Sequence, residues 1–243
     1  MSIDSPIETS PAERQDSSFS ALSALPPRDS NALVTSVRDR LRMAIVLEEI
    51  PAGVRLNQVR VAEQLGVSRM PVRAASADLV VEGLLEPLPT GGVAVRSLSR
   101  RDVEEASKVR EALEAQAARE VALARPEAGL KAIFAVLDRH EALGGVNDTR
   151  MLLELDRSFH WAVLDATDNP YFRRAMVPMW SVVERSMVGV LRKVPDMFTL
   201  AWQQHREIAE ALAAGDADLA EQRARNHIRS TAPKLAKAIE DNE

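Results

Sequence analysis

The chain contains no cysteine, so no disulfide can brace it, although that absence alone fixes no compartment. No apolar run approaches the length of a membrane span, which excludes a helical integral membrane protein. The first thirty or so residues lack the basic start and apolar core of a secretory signal and are rich in Ser, Pro, Asp and Glu. They predict a mobile tail over 1–30 and a cytoplasmic protein. Positive charge is short overall: the formal net charge is −5, which argues against a uniformly basic surface. At 243 residues and 46% hydrophobic content, the chain is still long enough for two domains with real cores.

Between residues 31 and 98 the pattern is that of two short helices with arginines aimed outward. Asn57 can cap a first helix whose apolar positions are Val59, Val61, Ala62 and Leu65, and Gly66 can end it in the left-handed conformation of a tight turn. Ser68 restarts the chain as the next cap. Pro71 falls in the first turn of the second helix, where a missing N–H costs little, and Val72, Ala75 and Leu79 mark its buried face. Arg69 and Arg73, four apart, share one face and could each donate a bidentate pair to guanine in a major groove. Ser68 and the free N–H groups beside it suit phosphate. The competing reading is a helical hairpin whose arginines are merely solvated.

The flanking segments favour DNA. Leu84 to Leu88, then Pro89-Thr90-Gly91-Gly92, then Val93 to Arg96 read as two short strands around a glycine turn, a wing. Upstream, Val37, Leu41, Ile45 and Val46 mark an amphipathic helix over Leu33 to Leu47. The sum is a winged helix-turn-helix. Its region holds eight arginines against seven acids, a local charge of only +1, so tight binding to operator DNA calls for two copies on a symmetric site.

Arg55-Leu56-Asn57, Val61-Ala62, Leu65-Gly66-Val67-Ser68-Arg69, Pro71-Val72-Arg73 and Glu82-Gly83-Leu84, in this order and spacing, resemble the GntR family of bacterial transcription regulators. The resemblance implies that Ser68, Arg69, Met70 and Arg73 occupy DNA-contacting positions, with Gly92 at the wing tip. Ala74, Ser76, Met70 and Gly91 depart from the residues common in that family. Arg60 adds a positive charge beside the hairpin, suited to a phosphate or simply to water.

From 99 to 243 the periodicity is helical throughout. Ser99-Arg100-Arg101-Asp102 reads as a capping box, with Val103, Val109, Leu113 and Ala117 as apolar positions behind it. Arg125-Pro126, Gly144-Gly145, Asp168-Asn169-Pro170, Pro195 and Gly215-Asp216 divide the region into about six helices, an all-α bundle with faces for a dimer interface and an internal pocket. The expected fold is therefore mainly α, with the winged helix-turn-helix N-terminal to the bundle.

Of only four histidines, three fall where they could share an ion: His160, four residues after Asp156 on one helix face, His205 in the fifth bundle helix and His227 in the sixth. Three imidazoles and a carboxylate match zinc, nickel or manganese, though each residue alone has an ordinary structural reading. Asp156-Arg157-Ser158-Phe159-His160, Asn169, then His205 with Gly215-Asp216 behind it, then His227, resemble the FCD effector domain of FadR-type GntR regulators over about residues 100 to 240. In metal-containing members the equivalent aspartate and histidines bind one divalent ion facing the ligand cavity; for this chain one ion is expected, zinc ahead of nickel or manganese. Arg110 matches an arginine of that domain and is expected to clamp a small carboxylate effector, the alternative being a salt bridge to Glu114. His140 matches no ligand position and is expected at the surface.

These readings converge on a homodimeric, DNA-binding transcription regulator that is not an enzyme, has no membrane partner and senses a small organic acid beside the ion. Two alternatives stand. One is a metal-dependent hydrolase, disfavoured because there is no His-Glu-x-x-His element and because Glu154 and Glu207 each lie two positions from a ligand. The other is a non-sensing DNA-binding dimer braced by a structural metal.

Overall fold

Asn57 and Gly66 set the geometry of the N-terminal part. Asn57 accepts hydrogen bonds from the Val59 and Arg60 amides, and Gly66 takes φ of 65°, so the helix between them stops after eight residues and the chain turns at once into the next. The computed structural model describes residues 30–144, 148–193 and 196–240; residues 1–29 of the expected tail, Gly145 and Pro195 lie outside the described residues. The elements in order are α1 (Ser30–Val46), α2 (Gln58–Leu65), α3 (Arg69–Val81), β1 (Leu85–Pro87), β2 (Val93–Val95), α4 (Arg100–Ala124), α5 (Glu127–Ala142), α6 (Thr149–Asp165), α7 (Pro170–Lys193), α8 (Asp196–Ala214) and α9 (Ala217–Glu240). The fold is mainly helical, as the periodicity predicts.

Val72, Ala75 and Leu79 of α3 are fully buried against Val37, Leu41 and Ile45 of α1, the stripe that a 3.6-residue period predicts. Antiparallel β1 and β2 pair Leu85 with Val95 and Pro87 with Val93, forming the wing, and Arg55 adds a further bridge to Ala94. Two expected apolar positions are corrected: Val59 is 43% and Val109 48% exposed, because each turns to the solvent side of its helix while its apolar neighbours fill the core. Ser68 occupies the N-cap position of α3 but makes no side-chain cap bond.

Helices α4 to α9 form the bundle. The capping box at Ser99 and Asp102 is present in both directions and starts α4. Arg125 adopts φ of 46° to end it, and Asp168 (56°) and Gly215 (77°) make the later turns. Charged pairs lace α4 to α9: Glu111 takes Arg225 and Arg229, and Arg119 reaches Asp218 and Glu221.

One helix of the bundle grips the winged part. On α7, Glu184 ion-pairs with Arg42 of α1, itself 3.2 Å from Glu82 after α3. The next residue, Arg185, donates from Nη1 to the Arg96 carbonyl at 2.6 Å, just beyond β2.

Candidate functional site

The outer face of α3 carries the chemistry expected for a nucleic-acid surface. Arg69 and Arg73 are exposed, Met70 beside them is 71% exposed, and neither arginine has an acidic partner among the described residues. Ser68 and Arg60 are exposed as well. Gly92 sits at the wing tip with φ of 82°. Arg55, which the sequence offers only as part of a motif, braces that tip by donating from Nη2 to the Gly91 carbonyl at 2.9 Å. Arg55, Arg69 and Gly92 line one cleft of about 460 Å³, so the wing and the start of α3 form a single basic surface.

In the bundle, α6, α8 and α9 bring His160, His205 and His227 together: one ring nitrogen from each lies within 4.8 Å of the others, and all three rings are buried. The spacing along α6 puts Asp156 on the same buried face. Its carboxylate oxygens lie 3.9 Å from His160 Nε2 and 3.8 Å from His205 Nε2, adjacent to the histidine group rather than in contact with it.

Burial dominates the electrostatics of this cluster. Burial pushes the Asp156 carboxyl up, against the opposing pull of His160 and Arg110, so its anionic form lacks a sufficient counter-charge. Burial likewise pushes His205 and His227 well below the ordinary imidazole value, helped by the positive neighbours, which keeps both rings neutral as ligands must be. The Nε2 atoms of His205 and His227 are 3.3 Å apart. Two imidazole nitrogens each about 2.0–2.1 Å from a tetrahedral ion stand roughly 3.3–3.4 Å from one another, so the pair fits that geometry. His205 Nδ1 is buried with no hydrogen-bond partner among the described residues. The residues present therefore fit a divalent ion held by nitrogen with one oxygen alongside.

Arg110 is 3% exposed and lies against the same group. Its Nε pairs with Glu114 at 2.5 Å, the salt bridge of the alternative reading, and the guanidinium also reaches His160. Its Nη2 is 2.9 Å from Nε2 and 3.3 Å from Nδ1 of His160. Nearness to both ring nitrogens puts it over the imidazole face, clear of the in-plane lone pair. Trp180 lies 5.0 Å below the guanidinium and 5.1 Å from the His160 ring.

Several neighbours of the cluster were not legible as such in the sequence. Glu114 accepts from His160 Nδ1 at 2.6 Å, and Gln204 meets His227 Nδ1 at 2.9 Å. His140 corrects the surface expectation: it is half-buried and stacks on Trp202 at 3.9 Å, because α8 lays an indole face against it. Trp202 in turn meets the His205 ring edge-on at 4.9 Å. The two carboxylates considered as bases point elsewhere, Glu154 to solvent and Glu207 to Arg223 at 2.7 Å.

Residues 33–95 match the family described as bacterial regulatory proteins, gntR family, and residues 105–230 match the FCD domain. The chain belongs to the GntR family. It is a DNA-binding transcription regulator with a C-terminal FCD domain. This GntR protein is 32% identical over 208 residues to a probable D-xylose utilization operon transcriptional repressor of Paenarthrobacter nicotinovorans, covering 84% of this chain and 89% of that one. It is 27% identical to a putative L-lactate dehydrogenase operon regulatory protein of Escherichia coli, over 81% and 83% of the two chains. Among solved structures, McbR/YncC of Escherichia coli superposes with a TM-score of 0.65 at 20% identity (84% and 97% covered). A GntR regulator of a Rhodococcus species gives 0.63 at 24% (83% and 96%), and both show a shared fold. No helix among the described residues is long and apolar enough to cross a membrane.

Proposed function

We propose that this GntR regulator acts in the bacterial cytoplasm as a homodimer on double-stranded operator DNA, and that a small organic acid held beside a divalent ion in the FCD bundle sets its operator affinity. In this reading Arg69 and Arg73 reach base edges, Ser68, Arg60 and Gly92 meet the backbone, and Met70 packs on the groove edge. Asp156, His160, His205 and His227 hold the ion, zinc before nickel or manganese, and Arg110 takes the acid's second oxygen. Bound there, the ion supplies a Lewis-acidic anchor for an oxygen ligand rather than catalysis.

The observation that carries the sensing role is a pair of unpartnered buried donors beside the three histidines. Among the described residues, the buried indole N–H groups of Trp180 and Trp202 have no hydrogen-bond partner, and Arg110, held by Glu114, adds its guanidinium beside them. Such a set favours an acceptor-rich guest, which an organic acid is. The name of the lactate-operon relative is in keeping with a small hydroxy acid. On α4, Val109 and Leu123 are exposed about four helical turns apart on one face, which supports a second copy packing there.

Regulation would pass through α7. Trp180 touches Arg110 and His160, and one turn later Glu184 holds Arg42 of α1. A ligand that prefers one placement of α7 then biases the placement of the winged part, and by reciprocity DNA changes the ligand's affinity by the same factor. The test is a duplex selected from a randomised pool, titrated with the zinc-loaded protein against a panel of small hydroxy and dicarboxylic acids. At least one acid should shift the affinity several-fold, and Arg110→Ala should abolish the shift. No shift from any acid, with or without chelator, would overturn the sensing role and leave a constitutive DNA binder.

A further inference from the structure

Beside the three histidines, Glu114 meets Nδ1 of His160 and Gln204 meets Nδ1 of His227. Resting on the metal reading above, we infer that Glu114 and Gln204 are positioning residues that fix the tautomers of His160 and His227 so that both present a bare Nε2 to the cation.

Charge decides the tautomer of His160. The Glu114 oxygen 2.6 Å from Nδ1 belongs to a carboxylate that can only accept. Its other oxygen takes Arg110 Nε at 2.5 Å, so the carboxylate is paired with a guanidinium and offers acceptors at both ends. Nδ1 must therefore carry the proton, which leaves the Nε2 lone pair free on the side facing Asp156.

A chain of neutral groups decides that of His227. The Ser230 hydroxyl has two acceptors in reach, the His227 carbonyl at 2.9 Å and Gln204 Oε1 at 3.3 Å; donation to the nearer one leaves its lone pair for the Gln204 amide, whose Nε2 donates to it at 3.2 Å. With the amine end so engaged, the Gln204 carbonyl oxygen faces His227 Nδ1 at 2.9 Å and requires N–H there. The lone pair again falls on Nε2, the atom 3.3 Å from its counterpart on His205. Among the described residues His205 has no equivalent partner at Nδ1, so the neighbours seen here set the rings of His160 and His227. Such outer partners orient the ring and raise its basicity, and their loss costs roughly 10–100-fold in metal affinity.

The test uses the full chain, stripped with chelator and titrated with Co²⁺ for its visible spectrum and with Zn²⁺ against a competing chelator for affinity. Gln204→Leu should weaken both ions by about 10-fold or more, while Gln204→Glu, which still accepts from Nδ1, should bind as tightly as the unaltered chain or tighter. A merely packing role predicts the reverse order, since a half-buried carboxylate fits that site less well than leucine. Glu114→Gln, which removes the charge but can still accept, should fall between. The inference is overturned if Gln204→Leu binds like the unaltered chain, or if Gln204→Glu loses as much as Gln204→Leu. Failure of the metal reading itself looks different: the unaltered chain then takes up neither ion. Helical circular dichroism of each variant separates a folding defect from a binding one, and Gln204→Glu supplies the positive control.

Discussion

The Arg42 guanidinium on α1 and the Glu184 carboxylate on α7 form an ion pair with both side chains buried, 7% and 3% exposed, across the seam between the winged part and the bundle. A salt bridge so placed is unlike the exposed pairs elsewhere on the molecule. Water cannot replace either partner, so removing one leaves the other charged and poorly solvated.

Glu184→Gln should therefore destabilise the chain by about 3 kcal/mol in urea denaturation, near the low end of the range for such pairs because Glu82 still holds Arg42. Replacing both partners, Arg42→Met with Glu184→Leu, should recover most of that loss, since the desolvation cost goes with the charges. In the double variant DNA affinity should no longer respond to the effector even though the effector still binds. Retained coupling would mean that the signal crosses the seam elsewhere.

On the DNA face, Arg69→Ala and Arg73→Ala should each cost about 1–3 kcal/mol of operator affinity and relax sequence preference at one position. Both are exposed, so folding stability should change by less than about 0.5 kcal/mol. Arg60→Ala should weaken all duplexes alike and lower the slope of log affinity against log salt by about 1. Gel shifts across a salt series distinguish these outcomes, and a sequence-selective loss for Arg60→Ala would move that residue from phosphate to base.

Adding Zn²⁺ to chelator-treated protein should raise its stability by about 2.7 kcal/mol at one hundred times the dissociation constant, read as an upward shift in Tm. His205→Ala should abolish the shift. An equal rise in that variant would place the ion at some other site.

Acid should destabilise the metal-free chain from about pH 6.5 downward. In the unfolded state His205 and His227 take up protons near the ordinary value of 6.5, whereas in the folded state burial, reinforced by His160 and Arg110, keeps both neutral to well below it. The unfolded chain thus binds more protons across that window, and stability rises with pH through it. Urea midpoints from pH 5 to 8 should climb and then level off above 6.5. Replacing both histidines with asparagine should flatten the slope.

Much of the molecule is legible in local sequence. Asn57, Gly66 and the Ser99–Asp102 box set helix ends because a cap depends only on residues a few positions away. Arg69 and Arg73 are readable for the same reason: their face follows from spacing within one helix. Asp156 and His160 likewise share a face by their four-residue interval. Val109 departs from expectation because a helix's apolar pattern does not say which of two adjacent positions its neighbours will cover, and His140 because the ring that covers it, Trp202, lies about sixty residues away in another helix.

The sequence by itself determined the helix-turn-helix with its outward arginines and the order of the helices, which follow from spacing and chain-local capping, and its motifs carried the resemblance that marked the family and singled out the three histidines. Tertiary structure alone decided that Glu114 and Gln204 hold the imidazoles, that Arg110 lies over one of them, and that α7 ties this cluster to the winged part through Glu184 and Arg42. The physical reason is reach. A cap or a helical face is set within a few residues, but the partner of a buried charge is set by how separate helices pack, and no interval along the chain records that.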